Sequence, residues 1–296
     1  MKKFLSTTFL AVITVLILLE LIIRATGITG SALPFTSLDG EYKLMPGEQG
    51  IWVKGPLGNI RSRFKINNQG YNSTILDYEN DPVEFKIALI GDSYIQGLHV
   101  NVEESIGRLI EDIYTNKTIS VHEFGISSWN AHNFLQIANE IEKNYDYIFV
   151  LVTDEDLSET QKSNPEPTNS YWSSYLHKEI RTLRYLNINR GLMKKLKDIG
   201  PRKINIDSKK KTPITNYDLL QEFPKNTVFL YEEKKLTSLT DDGVFLKINH
   251  VKKPIDFGNL DGHWNSKGRN NCASIIVNFL IKQDNDNKSR IKPLHL

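Results

Sequence analysis

The sequence predicts an α/β protein with a mostly parallel sheet, carried on an N-terminal apolar segment. Three observations predict it. From residue 85 onward, apolar runs at 86–90, 119–123, 147–152, 227–231 and 244–248 alternate with helical patterns at 103–114, 130–143 and 266–282. Short apolar runs bounded by turn residues read as buried strands, and strand–helix alternation calls for a parallel sheet covered on both faces. The first of these strands stops abruptly at Gly91-Asp92-Ser93, with Gly97 four residues beyond the serine. Finally, Lys2 and Lys3 precede an almost unbroken apolar run from Phe4 to Ile23, long enough to cross a bilayer as one helix.

The elements follow in order. Residues 1–24 read as a transmembrane anchor, since a cleaved signal peptide has a shorter apolar core and a clear small-residue site after it. The lysines before the run favour a cytoplasmic N-terminus, which places the rest of the chain on the extracytoplasmic side of the cell membrane. Glu20 lies near the outer end of the run, where a carboxylate can reach the interface. Residues 25–84 are rich in turn signals such as Met45-Pro46-Gly47 and Gly55-Pro56-Leu57-Gly58, with short extended pieces between them, and predict a β-rich lead-in.

Residues 85–282 form the main domain, interrupted at about 157–224. That stretch contains an aromatic run around Tyr171, Trp172 and Tyr175, a basic helical pattern at 181–197 and a lysine-rich linker at 208–212. A long excursion of this kind reads as a cap over the sheet's working edge, its basic residues as a solvated face. In the last helix Ala273, Ile276, Val277 and Leu280 recur at helical spacing. Residues 283–296 are polar and are expected to form a flexible tail.

Composition narrows the function classes. The chain of 296 residues is 40% hydrophobic and 24% charged, as in ordinary folded proteins, and is long enough for a substantial core. A net charge of +2 gives no nucleic-acid footprint. The single cysteine, Cys272, rules out an intramolecular disulfide and sits in an apolar helical pattern, so it reads as a buried structural thiol.

A serine just past a buried parallel strand sits at the carboxyl edge, where α/β sheets present reactive groups, which makes Ser93 a candidate nucleophile. A serine hydroxyl needs a base, and His263 lies in a polar, glycine-flanked loop, Asn259-Leu260-Asp261-Gly262-His263-Trp264-Asn265, just before the last helix. Asp261, two residues away, projects to the same side of an extended loop and can orient the imidazole through Nδ1, leaving Nε2 for Ser93. Asp256 is the reserve acid. A helix-capping loop with an exposed histidine is the structural alternative. Asp154, Glu155 and Asp156 cannot all face one point at a strand end, which argues against a metal site there. Trp129 and the aromatic run read as packing residues, with a sugar platform as the alternative.

These residues together resemble the SGNH or GDSL-type serine hydrolases. The first family block is matched by Gly91-Asp92-Ser93 with Gly97, the second by Phe124-Gly125-Ile126-Ser127-Ser128-Trp129-Asn130, and the last by Asp261-Gly262-His263-Trp264-Asn265. Asn68-Gln69-Gly70-Tyr71 upstream is similar to envelope-associated members. The resemblance implies a three-layer, flavodoxin-like domain that cleaves or transfers acyl esters without a metal or organic cofactor. In it Ser93 is the nucleophile, His263 the base and Asp261 the orienting acid, with the N–H groups of Ser93 and Gly125 holding the oxyanion. Such donors act because they are already aimed at the developing charge.

Two positions depart from the family pattern. Glu155 stands where an asparagine amide is usual, with Thr153 or Asn130 as substitute donors, and Leu260 stands where many members have the aspartate. The expected activity is deacylation or acyl transfer on O-acyl, chiefly O-acetyl, groups of an envelope or surface polysaccharide. The expected partners are an acylated carbohydrate or small acyl ester, the membrane and envelope biosynthesis proteins. The competing expectation is an inactive relative that binds glycan or a partner.

Overall fold

A computed structural model describes residues 2–38, 41–158, 161, 163, 179–190, 217–232, 244–248, 256–258 and 260–290. The aromatic run at 171–175 and the lysine-rich linker at 208–212 lie outside the described residues.

The centre is a five-stranded, fully parallel sheet of β5 (Lys86–Gly91), β6 (Ser120–Gly125), β7 (Tyr147–Val152), β8 (Thr227–Glu232) and β9 (Val244–Ile248), in the order β6-β5-β7-β8-β9. This is the flavodoxin-like order, and it places a switch point at β5, whose following connections leave to opposite sides. Alternation along β5 divides the core. Ala88 and Ile90 face one layer, with Phe134 and Ile137 of α4 (Ala131–Ile141) and with Phe64, Ile66 and Tyr71 of the lead-in. Ile87 and Leu89 face the other, with Ile106 and Ile110 of α3 (Ile106–Ile113) and with Cys272, Ile276 and Leu280 of the last helix, α7 (Ser266–Arg290). Cys272 is fully buried, and burial pushes its thiol up to about 12, so it is held as an inert thiol.

The lead-in is β-rich, as its turn signals require. It holds two antiparallel pairs, β1 (Phe35–Leu38) with β2 (Glu41–Leu44), and β3 (Gln49–Lys54) with β4 (Ile60–Lys65). The second hairpin alternates buried and exposed positions along β4 and docks on the segment after Ser93: the Ser62 hydroxyl donates to the Leu98 carbonyl and the Arg63 N–H to Asn101 Oδ1 at 3.0 Å.

The N-terminal helix α1 (Lys2–Thr26) is long and apolar enough to cross a membrane, about 38 Å at 1.5 Å per residue. Its apolar side chains, Phe4, Phe9 and Leu10 among them, are largely exposed, whereas Ile23 near its end is buried.

Several boundaries differ from those the sequence suggests. Helix α3 starts at Ile106 rather than 103, because the Ser105 hydroxyl caps it and Val102–Glu104 forms a separate 3₁₀ turn. Strand β6 runs to Gly125 because its register with β5 continues through the pair Gly91–Gly125. The last helix does not stop at 282 but continues to Arg290. There Asp284 accepts hydrogen bonds from Tyr114, Asn116 and Lys117, which tie the polar extension to the end of α3. Helix α5 (Asp154–Ser158) leads into the insertion, whose described elements are α6 (Arg181–Arg190) and a 3₁₀ turn at Tyr217–Glu222.

Candidate active site

The strand-to-helix turn after β5 is built by close backbone approach. Asp92 caps the four-residue helix α2 (Ser93–Gln96) by accepting the Tyr94 N–H at 3.0 Å, and the helix ends at Gly97 with φ 70°. Gly97 is needed twice over. Its backbone lies in the left-handed region, and a Cβ there would meet the Arg269 guanidinium at 2.9 Å. Gly125 answers to the same turn from β6. A Cβ on it would lie 2.2 Å from the Gln96 nitrogen and 2.6 Å from the Ile95 carbonyl carbon. Helix α2, and hence Ser93, therefore rests directly on the glycine at the end of β6.

The chain brings Ser93, His263 and Asp261 together across 170 residues. Ser93 Oγ lies 2.7 Å from His263 Nε2, and His263 Nδ1 is hydrogen-bonded to Asp261 Oδ1. The same carboxylate oxygen accepts the His263 N–H at 2.8 Å, which fixes the loop. Ser93 and His263 are half-buried and so open to substrate, whereas the Asp261 carboxylate is buried. Tyr94 holds the loop from Ser93's own helix: its hydroxyl donates to the Gly262 carbonyl at 3.2 Å and its ring lies 4.9 Å from the His263 ring. This geometry allows the hydroxyl proton to pass to Nε2 while Nδ1–H stays on the carboxylate.

A second grouping of the same residue types clarifies what the first can do. Asp81, Ser120 and His122 also meet, but there both the Ser120 hydroxyl and His122 Nε2, at 2.7 Å, face Asp81 Oδ2. A nitrogen that donates to a carboxylate has no lone pair for a serine proton. His122 is fully buried and its Nδ1 lies 2.7 Å from the Tyr145 hydroxyl, so this grouping is a structural tie between lead-in and sheet.

Two residues that sequence reasoning missed complete the first site. Lys54, at the end of β3, donates to Asp261 Oδ2, and His99 Nε2 lies 3.3 Å from the same oxygen. The His99 ring stacks on His263 with centroids 4.0 Å apart and planes 12° apart, and Trp52 abuts its edge at 4.4 Å. No motif marks Lys54, which lies 207 residues from its partner. His99 carried a weak signal, since it sits two residues past Gly97, in the same block as Ser93.

His99, Asp261 and His263 are close enough together to suggest a metal site, but the stacked rings argue against one. A metal ligated by imidazole lies near the ring plane, and two nearly parallel planes this far apart share no such point.

The charges follow from this packing. Burial alone raises the Asp261 carboxyl, but hydrogen bonds from Lys54 and from His263 outweigh it and hold the group well below the usual carboxylate range. Burial, reinforced by the adjacent His263, takes His99 down to about 3, so it is neutral at neutral pH and adds no repulsion when His263 gains a proton. Behind the turn, burial raises Asp92 and lifts Asp156 to about 7, the latter aided by the Asp92 charge.

The remaining predicted residues are spread around this centre. Asn130 caps α4: its Oδ1 accepts the His132 N–H at 3.1 Å and its Nδ2 donates to the Gln161 carbonyl at 2.9 Å, so the amide is engaged in the cap. The Thr153 hydroxyl donates to Asp156 at 2.7 Å, and Glu155 is exposed on α5. The reserve acid Asp256 accepts the Gly258 N–H at 2.7 Å and stabilises its own loop. Trp129 is buried in the core beside Tyr71.

Two expected results arise here. Replacing Lys54 by methionine removes one of the groups that orient a buried carboxylate. Turnover is expected to drop about tenfold with little change in KM, and Lys54→Arg to restore most of it; an unchanged kcat in Lys54→Met would remove Lys54 from the site. The second result concerns acid stability. Between pH 6.5 and about 3 the unfolded chain binds a proton at His99 that the folded chain refuses. Stability contributed by this residue is thus lost as pH falls through that window. The Tm of His99→Gln is expected to decline less steeply than that of the parent as pH drops below 6.5, and parallel declines would contradict the assignment.

Among solved structures, the chain is similar to a member of the lipolytic protein G-D-S-L family from Veillonella parvula DSM 2008, at 9% identity and a TM-score of 0.33, over 66% of this chain and 97% of that one. It is also similar to a Streptococcus pneumonia protein assigned provisionally as a platelet activating factor, at 15% identity and a TM-score of 0.30, over 68% and 86% of the two chains. No protein-family profile and no curated protein matches the sequence.

Proposed function

We propose that this chain is a membrane-anchored serine esterase of the SGNH type. It acts outside the membrane on O-acyl, chiefly O-acetyl, groups of an envelope or surface polysaccharide. The observation that carries the reading is the relay Ser93 Oγ–His263 Nε2, His263 Nδ1–Asp261, placed at the carboxyl end of β5, an inner strand of a parallel sheet.

In the mechanism that follows, His263 takes the Ser93 proton as the oxygen attacks the ester carbonyl. In this reading the Ser93 N–H holds the tetrahedral oxyanion, whereas the expected Gly125 N–H is turned away from β5, because Gly91 makes the ladder bond of their pair to the Ile126 N–H; the acyl group passes to Ser93 as the alcohol leaves with the proton from His263. Water or a sugar hydroxyl then takes the acyl group, which separates hydrolysis from transfer. Glu155, where the family's asparagine is usual, is exposed on α5, and this reading assigns the oxyanion to the backbone at the turn without that amide.

The substrate assignment combines the location of α1 with the ester chemistry of the relay. It is tested by the acetyl content of surface glycans in cells with the intact gene and with Ser93→Ala. A rise in bound acetyl in the variant supports deacylation and a fall supports transfer. Identical content would overturn the polysaccharide assignment.

A further inference from the structure

We propose that the acylated glycan this site processes is borne on an amphiphile resident in the same membrane as α1, so that the ester is met while the sugar is still lipid-linked. The inference rests on the anchored-esterase reading and names its substrate class. It starts from how the catalytic domain is attached to α1.

The attachment is braced rather than loose. Beyond the end of α1, the Gly27 carbonyl accepts from Arg61 at 3.0 Å, the Ser31 N–H donates to the Ile51 carbonyl at 2.7 Å, and the Ile51 N–H returns to Ser31 Oγ at 3.1 Å. Gly30 lies so close to β3 that a Cβ would meet the Ile51 oxygen at 2.2 Å. One residue after Val53 comes Lys54, whose ammonium holds Asp261, and Trp52 abuts His99. The hairpin that receives the exit of α1 is therefore the one that completes the catalytic site.

A second brace comes from the insertion. Glu20 caps α6, accepting the N–H groups of Arg181 at 3.1 Å and Thr182 at 2.8 Å and the Thr182 hydroxyl at 2.7 Å. Arg24 donates to the Glu179 carbonyl at 2.7 Å. Helix α6 then reaches the hairpin: Arg184 donates to the Gly30 carbonyl and the Tyr185 hydroxyl to the Pro56 carbonyl at 2.8 Å. The one carboxylate in the apolar helix thus joins α1, α6 and the β3–β4 hairpin into a closed triangle.

The geometry limits reach. Four residues from Thr26 to Gly30 span at most about 14 Å, and the hairpin that carries Lys54 begins at that point. Glu20 lies about 9 Å back along the helix axis from Thr26, so the start of α6 is drawn down to headgroup depth. An enzyme that serves a distant polymer gains from a flexible tether, whose search volume grows with its length. A braced site gains only when the substrate is confined to the same surface, where its effective concentration is high.

The test uses the full chain in phosphatidylcholine–phosphatidylglycerol vesicles with two probes, soluble p-nitrophenyl acetate and a hexadecyl O-acetylglucoside inserted in the vesicles. A loosened variant carries Glu20→Ala, Arg24→Ala and about 20 Gly/Ser residues inserted after Gly27. Its turnover of the soluble ester, which also reports an intact fold, is expected to stay within about twofold of the parent, while turnover of the vesicle-borne ester falls about tenfold. Equal losses or no loss on the vesicle-borne ester would overturn the proposal. Absent soluble-ester turnover in the parent overturns the esterase reading beneath it, and release of the parent from vesicles by carbonate overturns the anchoring.

Discussion

Replacing Ser93 or His263 by alanine is expected to lower turnover of a small acetyl ester by about 10⁴-fold or more, with the two losses far from additive. The reason is the single proton path between them. Ser93 Oγ has His263 Nε2 at 2.7 Å, while its other polar neighbour, the Asp92 carboxylate, is a long 3.4 Å away and engaged by the Tyr94 N–H. Without the imidazole the hydroxyl has no base, and without the hydroxyl the imidazole has nothing to activate. Because the residues act as one unit, the double variant is expected to fall little further than either single one. Both side chains are half-buried at a loop and a helix start, so neither truncation leaves a core cavity and the folded fraction is expected to hold. Measuring kcat/KM alongside thermal unfolding checks both halves of this expectation.

Gly125→Ala is the second large effect, and it acts through packing. The added methyl would overlap the backbone of α2 at Gln96 and Ile95, and backbone atoms cannot rotate away as a flexible side chain does. Either β6 separates from α2 or α2 shifts. Overpacking of this kind costs about 1–3 kcal/mol or more. Because α2 begins at Ser93, the shift carries the nucleophile with it, and a displacement of about 1 Å costs on the order of 10²-fold in rate. The variant is expected to lose both stability and turnover. By contrast, Gly262→Ala in the His263 loop meets no atom within 4 Å and is expected to be nearly silent in stability.

How much of this was legible in the sequence depended on how local the cause was. The five strands could be read because each is a short apolar run between turn residues, and the order of blocks placed Ser93, Asp261 and His263 on one edge. Gly125 was legible as a block residue, though its reason, the α2 backbone against it, was not. Lys54 and His99 were not assigned because their roles exist only after the β3–β4 hairpin docks, and a lysine before a Gly-Pro turn looks like any solvated cation. Asn130, weighed as a substitute donor, shows a related limit. A residue just before a helical run is first of all a cap, and its amide is engaged in that task. The tail after Gln283 looked flexible by composition, yet Asp284 makes three contacts that only the folded α3 can offer. Glu20 read as a carboxylate reaching the interface; its partner is a helix that begins 161 residues later.

The central claim is that Ser93 is a nucleophile activated by His263. Covalent labelling of the full chain with a fluorophosphonate probe, followed by mass spectrometry of the peptide containing Gly91-Asp92-Ser93, tests it most directly. The account predicts a single adduct on Ser93 that vanishes in Ser93→Ala and forms far more slowly in His263→Ala. A folded, unlabelled parent chain, or an adduct that persists in Ser93→Ala, would contradict it.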